Sequence, residues 1–192
     1  IAPSSEGNPN LSWEQLWSSN LALHLGFVHR FNVDLELYNK LTTNMLMLVP
    51  QSYANNGFGQ RWDNVGAMVN RGVELSANLD IIRTENFVWN INGNASYNHN
   101  EITELYNGLD EYEMSGTSTK LVVGHPVGEF YINRYAGVNP ANGDALWYDK
   151  EGNITTEFRE SDKVLVGKTY MAPWQGGFGT SVSWKGWSAS TQ

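Results

Sequence analysis

The sequence has no cysteine, carries more acid than base and contains no long apolar run. Each absence removes a class of protein. Without cysteine there is neither a disulfide framework nor a thiolate metal site. With 20 Asp and Glu against 12 Lys and Arg, the net charge of −8 excludes a nucleic-acid partner held through its phosphates. No apolar stretch approaches the roughly 20 residues that a membrane-crossing helix needs. The opening Ile1-Ala2-Pro3-Ser4-Ser5 lacks a charged segment followed by an apolar core, so no signal peptide is read there. Aromatic residues, by contrast, are plentiful: 8 Trp, 9 Tyr and 7 Phe. The mildly polar mean hydropathy fits a soluble protein. It fits a β-barrel equally well, because a wet inner face dilutes the apolar outer face one to one.

The strongest pattern is alternation with period two, the mark of a strand whose two faces see different surroundings. Trp17, Leu21, Leu23, Leu25 and Phe27 share one face, with Ser19 as the exception. Phe31, Val33, Leu35 and Leu37 stand opposite Asn32, Asp34, Glu36 and Tyr38. Val73, Leu75, Ala77, Leu79 and Ile81 form a third apolar face. Phe87, Trp89, Ile91, Gly93, Ala95 and Tyr97 form a fourth, and Trp174, Phe178, Val182 and Trp184 a fifth. A sixth segment opens with Trp187 and Ala189. Over these stretches no charged residue falls on an apolar face.

The connections differ in length. His29-Arg30, Arg83-Thr84-Glu85-Asn86 and Lys185-Gly186 are short, whereas long loops of about 39–72 and 98–173 lie between them. Short turns on one side and long loops on the other are the outer-membrane pattern, with the turns periplasmic and the loops extracellular. Aromatics flank each short turn on the apolar face, and Trp17, Tyr97 and Trp174 recur ten residues from it. Ten residues rise about 33 Å, which a tilt near 45° reduces to about 24 Å. That spans an apolar band of about 25 Å between two aromatic girdles. A soluble β-sandwich also alternates. Its strands, however, usually run about 5–6 residues, and it has no reason to segregate long loops from short ones.

Several segments resemble the SusC/RagA family of TonB-dependent transporters. Asn8-Pro9-Asn10-Leu11-Ser12-Trp13-Glu14 is similar to the family's NPNL-x-WE motif. Asp34 to Leu46 resembles D-x-Y-x-K-x-T-x-D-L-L. Asn64-Val65-Gly66 with Asn70-Arg71-Gly72-Val73-Glu74-Leu75 resembles NVG…N-(K/R)-GVEL, the most specific of the set. Gly124-His125-Pro126-Val127-Gly128-Glu129-Phe130-Tyr131 resembles G-x-P-(I/V)-G-x-F-Y. Ala136 to Ala145 resembles AGVDP-x-TGD-x, and Trp147-Tyr148 follows as in the carbohydrate-importing branch. The resemblance implies an all-β fold: an antiparallel transmembrane β-barrel segment, part of a plugged barrel of about 22 strands. Residues 1–192 would be a partial TonB-dependent receptor β-barrel, truncated at both ends, without plug or TonB box. It implies the outer membrane of a Gram-negative, Bacteroidota-type bacterium, contact with its lipid, a SusD/RagB-like lipoprotein over the mouth and drive from the TonB complex.

Within that frame the expected cargo is an oligosaccharide, with a peptide as the alternative in the same family. A soluble carbohydrate-binding β-sandwich and an all-β hydrolase are the readings from other classes. Trp62, Tyr131, Tyr135, Trp147 and Tyr148 lie in the long loops and are the candidate substrate contacts, although such loops also need aromatics for their own packing. Asp34, Glu36, Glu74 and Asp80 are expected on the lumen side, where polar solvated walls are ordinary. No catalytic residue, metal or cofactor is expected. The four histidines share no ligand spacing, and Val166-Gly167-Lys168-Thr169 meets Asp162 where a phosphate loop needs Gly. Asn142-Gly143-Asp144 reads as a hairpin turn in preference to a calcium loop. The Gly176-Gly177-Phe178-Gly179 run suits a close approach of the neighbouring strand.

Overall fold

The computed structural model describes residues 6–50, 52–114 and 116–192. The opening residues read above for a leader lie outside that range. The chain forms two compact units. One takes in the chain up to Asn100 together with Ala172–Gln192; the other is Glu101–Met171.

The first unit is dominated by long antiparallel strands: β1 (Gln15–Phe27), β2 (Phe31–Thr43), β5 (Ala67–Arg83), β6 (Phe87–Glu104), β14 (Trp174–Trp184) and β15 (Trp187–Thr191). They make a six-stranded sheet in the order β1-β2-β5-β6-β14-β15. Between β2 and β5 lie β3 (Leu46–Pro50), the one-turn α1 (Tyr53–Asn56) and β4 (Gln60–Asn64), with β3 and β4 paired. The second unit holds the remaining short strands: β7 (Glu111–Glu113), β8 (Lys120–Val122), β9 (Glu129–Ile132), β10 (Arg134–Val138), β11 (Ala145–Tyr148), β12 (Ile154–Thr155) and β13 (Val164–Thr169).

Register aligns the alternation from strand to strand. Leu23 faces Leu35, which faces Leu75; Leu21, Leu37 and Val73 form the next row, and Leu25, Val33 and Ala77 another. Across β6 and β14, Ile91 faces Thr180 and Trp89 faces Val182. The aromatic ends also pair. Phe27 faces Phe31 with ring centroids 5.9 Å apart, and Tyr97 faces Trp174 at 4.7 Å. Trp184 stands between Phe87 and Trp187.

Through the middle of the sheet the described residues leave this apolar face exposed, and at its far end Ala67 and Val69 are buried. Trp17 is 69 % exposed, Leu23 49 %, Leu75 43 % and Phe178 87 %. Among the described residues the buried hydrophobic ones are Val49, Ala67, Val69, Ile102, Leu105 and Leu121, none of them in the middle of the long sheet. A sandwich would interlock Leu23, Leu35, Leu75 and Ile91 against a second sheet. Among the described residues no other sheet exceeds three strands.

The long strands run further than the alternation marks. β2 continues through Lys40 to Thr43, β5 begins at Ala67 and β6 extends to Glu104, so the connections between them are correspondingly shorter. Backbone pairing does not require an apolar side chain, and the polar residues continue the ladder beyond the girdle. The absence of charge from the apolar face, expected over the alternating stretches, does not carry into these added residues. The extension puts Arg71 on the apolar face of β5, paired in register with Asn39 and, through it, with Ser19. The first turn is also longer than expected: Val28 and His29 both take positive φ (52° and 53°) and Arg30 N–H bonds to the Phe27 carbonyl at 3.1 Å. Lys185-Gly186 is a two-residue turn with both φ positive, the geometry that matches strand twist.

Candidate membrane wall and loop binding surface

The face opposite the apolar one is polar and internally bonded. His24 Nδ1 lies 2.6 Å from Asp34 Oδ1, whose other oxygen accepts from the Ser76 hydroxyl at 3.2 Å. Asn20 donates to Glu36 at 2.8 Å, and Glu36 stands directly across from Glu74. Asp34, Glu36 and Glu74 therefore share one patch. Asp80 is held elsewhere, near the turn, by Asn90 at 2.9 Å and Arg83 at 2.9 Å. At the other end the Tyr38 ring crosses over Gly72, and its hydroxyl donates to Asn98 at 2.9 Å. A β-carbon at Gly72 would fall inside that ring, which explains why glycine follows Arg71.

Two motifs that are distant in sequence turn out to bind each other. Asn8 donates to the Trp62 carbonyl at 3.1 Å and to Asp63 at 3.0 Å. Asn64 accepts from Ser12 N–H and donates back to the Ser12 carbonyl at 2.8 Å, while Glu14 accepts from Leu46 N–H at 2.7 Å. Burial pushes the Asp63 carboxyl up, but Arg61, the Asn64 amide and Asn8 outweigh it and hold it below the usual range. Trp62 faces Leu48 on the β3–β4 hairpin and is half exposed.

In the second unit, Glu129 is buried. Its carboxylate lies 2.7 Å from His125 Nδ1 and accepts from Gly167 N–H at 2.8 Å. Thr169 donates to the Val127 carbonyl at 3.1 Å. The Val166-Gly167-Lys168-Thr169 stretch is thus one half of a clasp whose other half is the Gly124–Tyr131 motif. Asn139 to Asp144 form the β10–β11 hairpin turn, closed by Gly143 N–H on the Asn139 carbonyl at 2.8 Å. Asn153, through side chain and backbone, and the amides of Gly152 and Glu151 hold the Asp149 carboxyl below its ordinary range and shape the next turn.

The loop aromatics separate. Tyr135 and Trp147 are cross-strand partners on one face of the β10-β11-β12 sheet, with centroids 5.5 Å apart. Phe158 completes the group, edge-on to Trp147 at 5.0 Å. Tyr135 and Phe158 remain 56 % and 54 % exposed. Tyr148 points to the opposite face, under the Arg134 guanidinium at 5.3 Å. Tyr131 lies on β9 beneath Lys120 Nζ at 4.8 Å. Trp62 belongs to the other unit. Only Tyr135 and Trp147 of the five candidates share a surface. Phe158 was missed because it sits outside any alternating segment, between Glu157 and Arg159, which pair with each other.

Long antiparallel strands with an uncovered apolar face, aromatic ends and a polar reverse define a stretch of transmembrane β-barrel wall. The family model described as TonB dependent receptor-like, beta-barrel matches residues 2–191. The TonB-dependent receptor SusC of Bacteroides thetaiotaomicron is 32% identical over 176 residues, covering 84% of this chain and 17% of that protein. The TonB-dependent receptor P39 of Formosa agariphila is 36% identical over 139 residues, 72% of this chain and 13% of that one. A solved structure of the RagAB peptide transporter superposes with TM-score 0.88 at 34% identity, covering 98% of this chain and 22% of that chain. The chain belongs to the TonB-dependent receptor β-barrel family, in its SusC/RagA type, and spans less than a fifth of the length of the curated relatives it matches. These relatives are TonB-dependent receptors and a peptide transporter.

Proposed function

We propose that this chain is wall and loop surface of a TonB-dependent importer of oligosaccharides in a Bacteroidota-type outer membrane. Cargo is captured between the loops and a SusD/RagB-like lipoprotein lid, then admitted when TonB acts on a plug inside the barrel. The chain breaks no bond in this scheme; it binds and confines. The observation that carries the sugar reading is the exposed Tyr135–Trp147–Phe158 face, because flat aromatic rings suit the C–H faces of pyranoses. The similarity to the RagAB peptide transporter favours a second reading, a peptide importer. Calorimetric titration of the full-length transporter with neutral oligosaccharides and with short peptides separates the two. Saccharide binding should weaken roughly tenfold or more in Trp147→Ala, since losing an aromatic anchor costs on the order of 2 kcal/mol. Binding of peptides alone, indifferent to Trp147, would replace the sugar reading with the peptide one.

A further inference from the structure

On β1, β2 and β5, between the tight turns and the girdle, the apolar face is interrupted at one level. Ser19, Asn39 and Arg71 stand side by side in register on β1, β2 and β5, all exposed. The row nearer the turn is Leu21, Leu37 and Val73; the row beyond is Trp17, Leu41 and Val69. Asn98 and Asn100 both reach Asn70, so the part of β6 that carries the girdle residue Tyr97 runs beside this level. The interruption thus lies at the girdle farther from the tight turns, the outer interface. There an arginine reaches headgroup level, while deeper in hydrocarbon its charge would be costly.

The geometry prepares an anion site. Arg71 Nε donates to Asn39 Oδ1 at 3.2 Å, which fixes the guanidinium plane. Its terminal nitrogens have no partner among the described residues, and neither do the Asn39 amide nitrogen and the Ser19 hydroxyl. Pleating puts Glu36 and Glu74 on the other side of the sheet, away from Arg71. A guanidinium fork with two neutral donors beside it, opening toward lipid, matches a phosphate group.

We propose that Arg71, oriented by Asn39, binds the phosphate headgroup of an outer-leaflet lipid. The site is independent of which cargo the barrel imports. Native mass spectrometry of the full-length transporter in mild detergent tests it, with monophosphoryl lipid A titrated against the same lipid after dephosphorylation. Arg71→Gln should weaken binding of the phosphorylated lipid roughly tenfold, the scale of a lost charge-assisted hydrogen-bond pair. Arg71→Lys and Asn39→Ala should lose less, and Arg83→Gln at the turn end nothing. The dephosphorylated lipid should bind wild type and Arg71→Gln alike. Equal binding of the phosphorylated lipid by wild type and Arg71→Gln would overturn the proposal, as would its displacement by an equal concentration of inorganic phosphate. Should Arg71→Gln fail to assemble, Asn39→Ala keeps the wall charge and carries the same comparison.

Discussion

The long sheet and the unit Glu101–Met171 solve opposite problems. Strands wholly inside the sheet reach 17 residues in β5, yet the middle of the sheet buries no side chain fully. Strands wholly inside the second unit have at most six residues, and that unit buries Ile102, Leu105, Leu121 and the charged Glu129 and Asp162. Eight of the eleven positive-φ glycines among the described residues also fall there, because a small fold must reverse its chain often. The wall needs no interior of its own, since lipid acts as the solvent of its apolar face and backbone ladders hold it together. The second unit must keep its shape in water, and so depends on particular side chains.

The largest effect that would break this contrast comes from charging the lipid face. Leu23→Arg should cost about 2–4 kcal/mol near mid-membrane. Asn94→Arg on the polar face should be tolerated. Heat-modifiable folded protein in the outer membrane, measured for both variants of the full-length transporter, checks the pair. Equal losses would mean that the two faces have been assigned wrongly.

A smaller effect should separate the units. Glu129→Ala removes the acceptor of Gly167 N–H and the partner of His125, two part-buried hydrogen bonds worth about 0.5–1.5 kcal/mol each. Hydrogen exchange of the full-length protein should quicken in β9 and β13 and stay unchanged in β1 and β2. Faster exchange in β1 and β2 to the same extent would show that the wall leans on the same clasp.

The same contrast governs what could be read from sequence. In the wall, each of Leu21 to Phe27 reports its face by position alone, so the strands, the girdles and the places of the short turns were legible, though not the length of the first turn. The strand ends were not, because Lys40 to Thr43 and Ala67 to Arg71 pair through backbone and carry no apolar signal. Arg71 on the apolar face went unseen for that reason. In the second unit the motifs were legible as strings but not as partners. Nothing in the order of residues says that Gly167 will meet Glu129 or that Phe158 will close on Trp147. Those contacts depend on how short strands fold back, which periodicity does not encode.

The smallest effect tests a strained turn of the wall, at its β-branched residue. Val28 sits in the left-handed region at φ 52°, where a β-branched side chain crowds its own backbone. Its side chain is 86 % exposed, so packing offers little in return. Val28→Gly should therefore raise stability by at most about 1 kcal/mol, the left-handed penalty being roughly 1–2 kcal/mol and glycine's extra unfolded freedom offsetting part of it. Val28→Asn, which tolerates that region and adds less freedom, should gain as much or more. Urea unfolding of the full-length barrel in detergent gives the comparison. A loss in both variants would mean that the Val28 side chain has a partner at the periplasmic face. The turn would then belong with the second unit's side-chain-dependent contacts, not with the backbone-held wall.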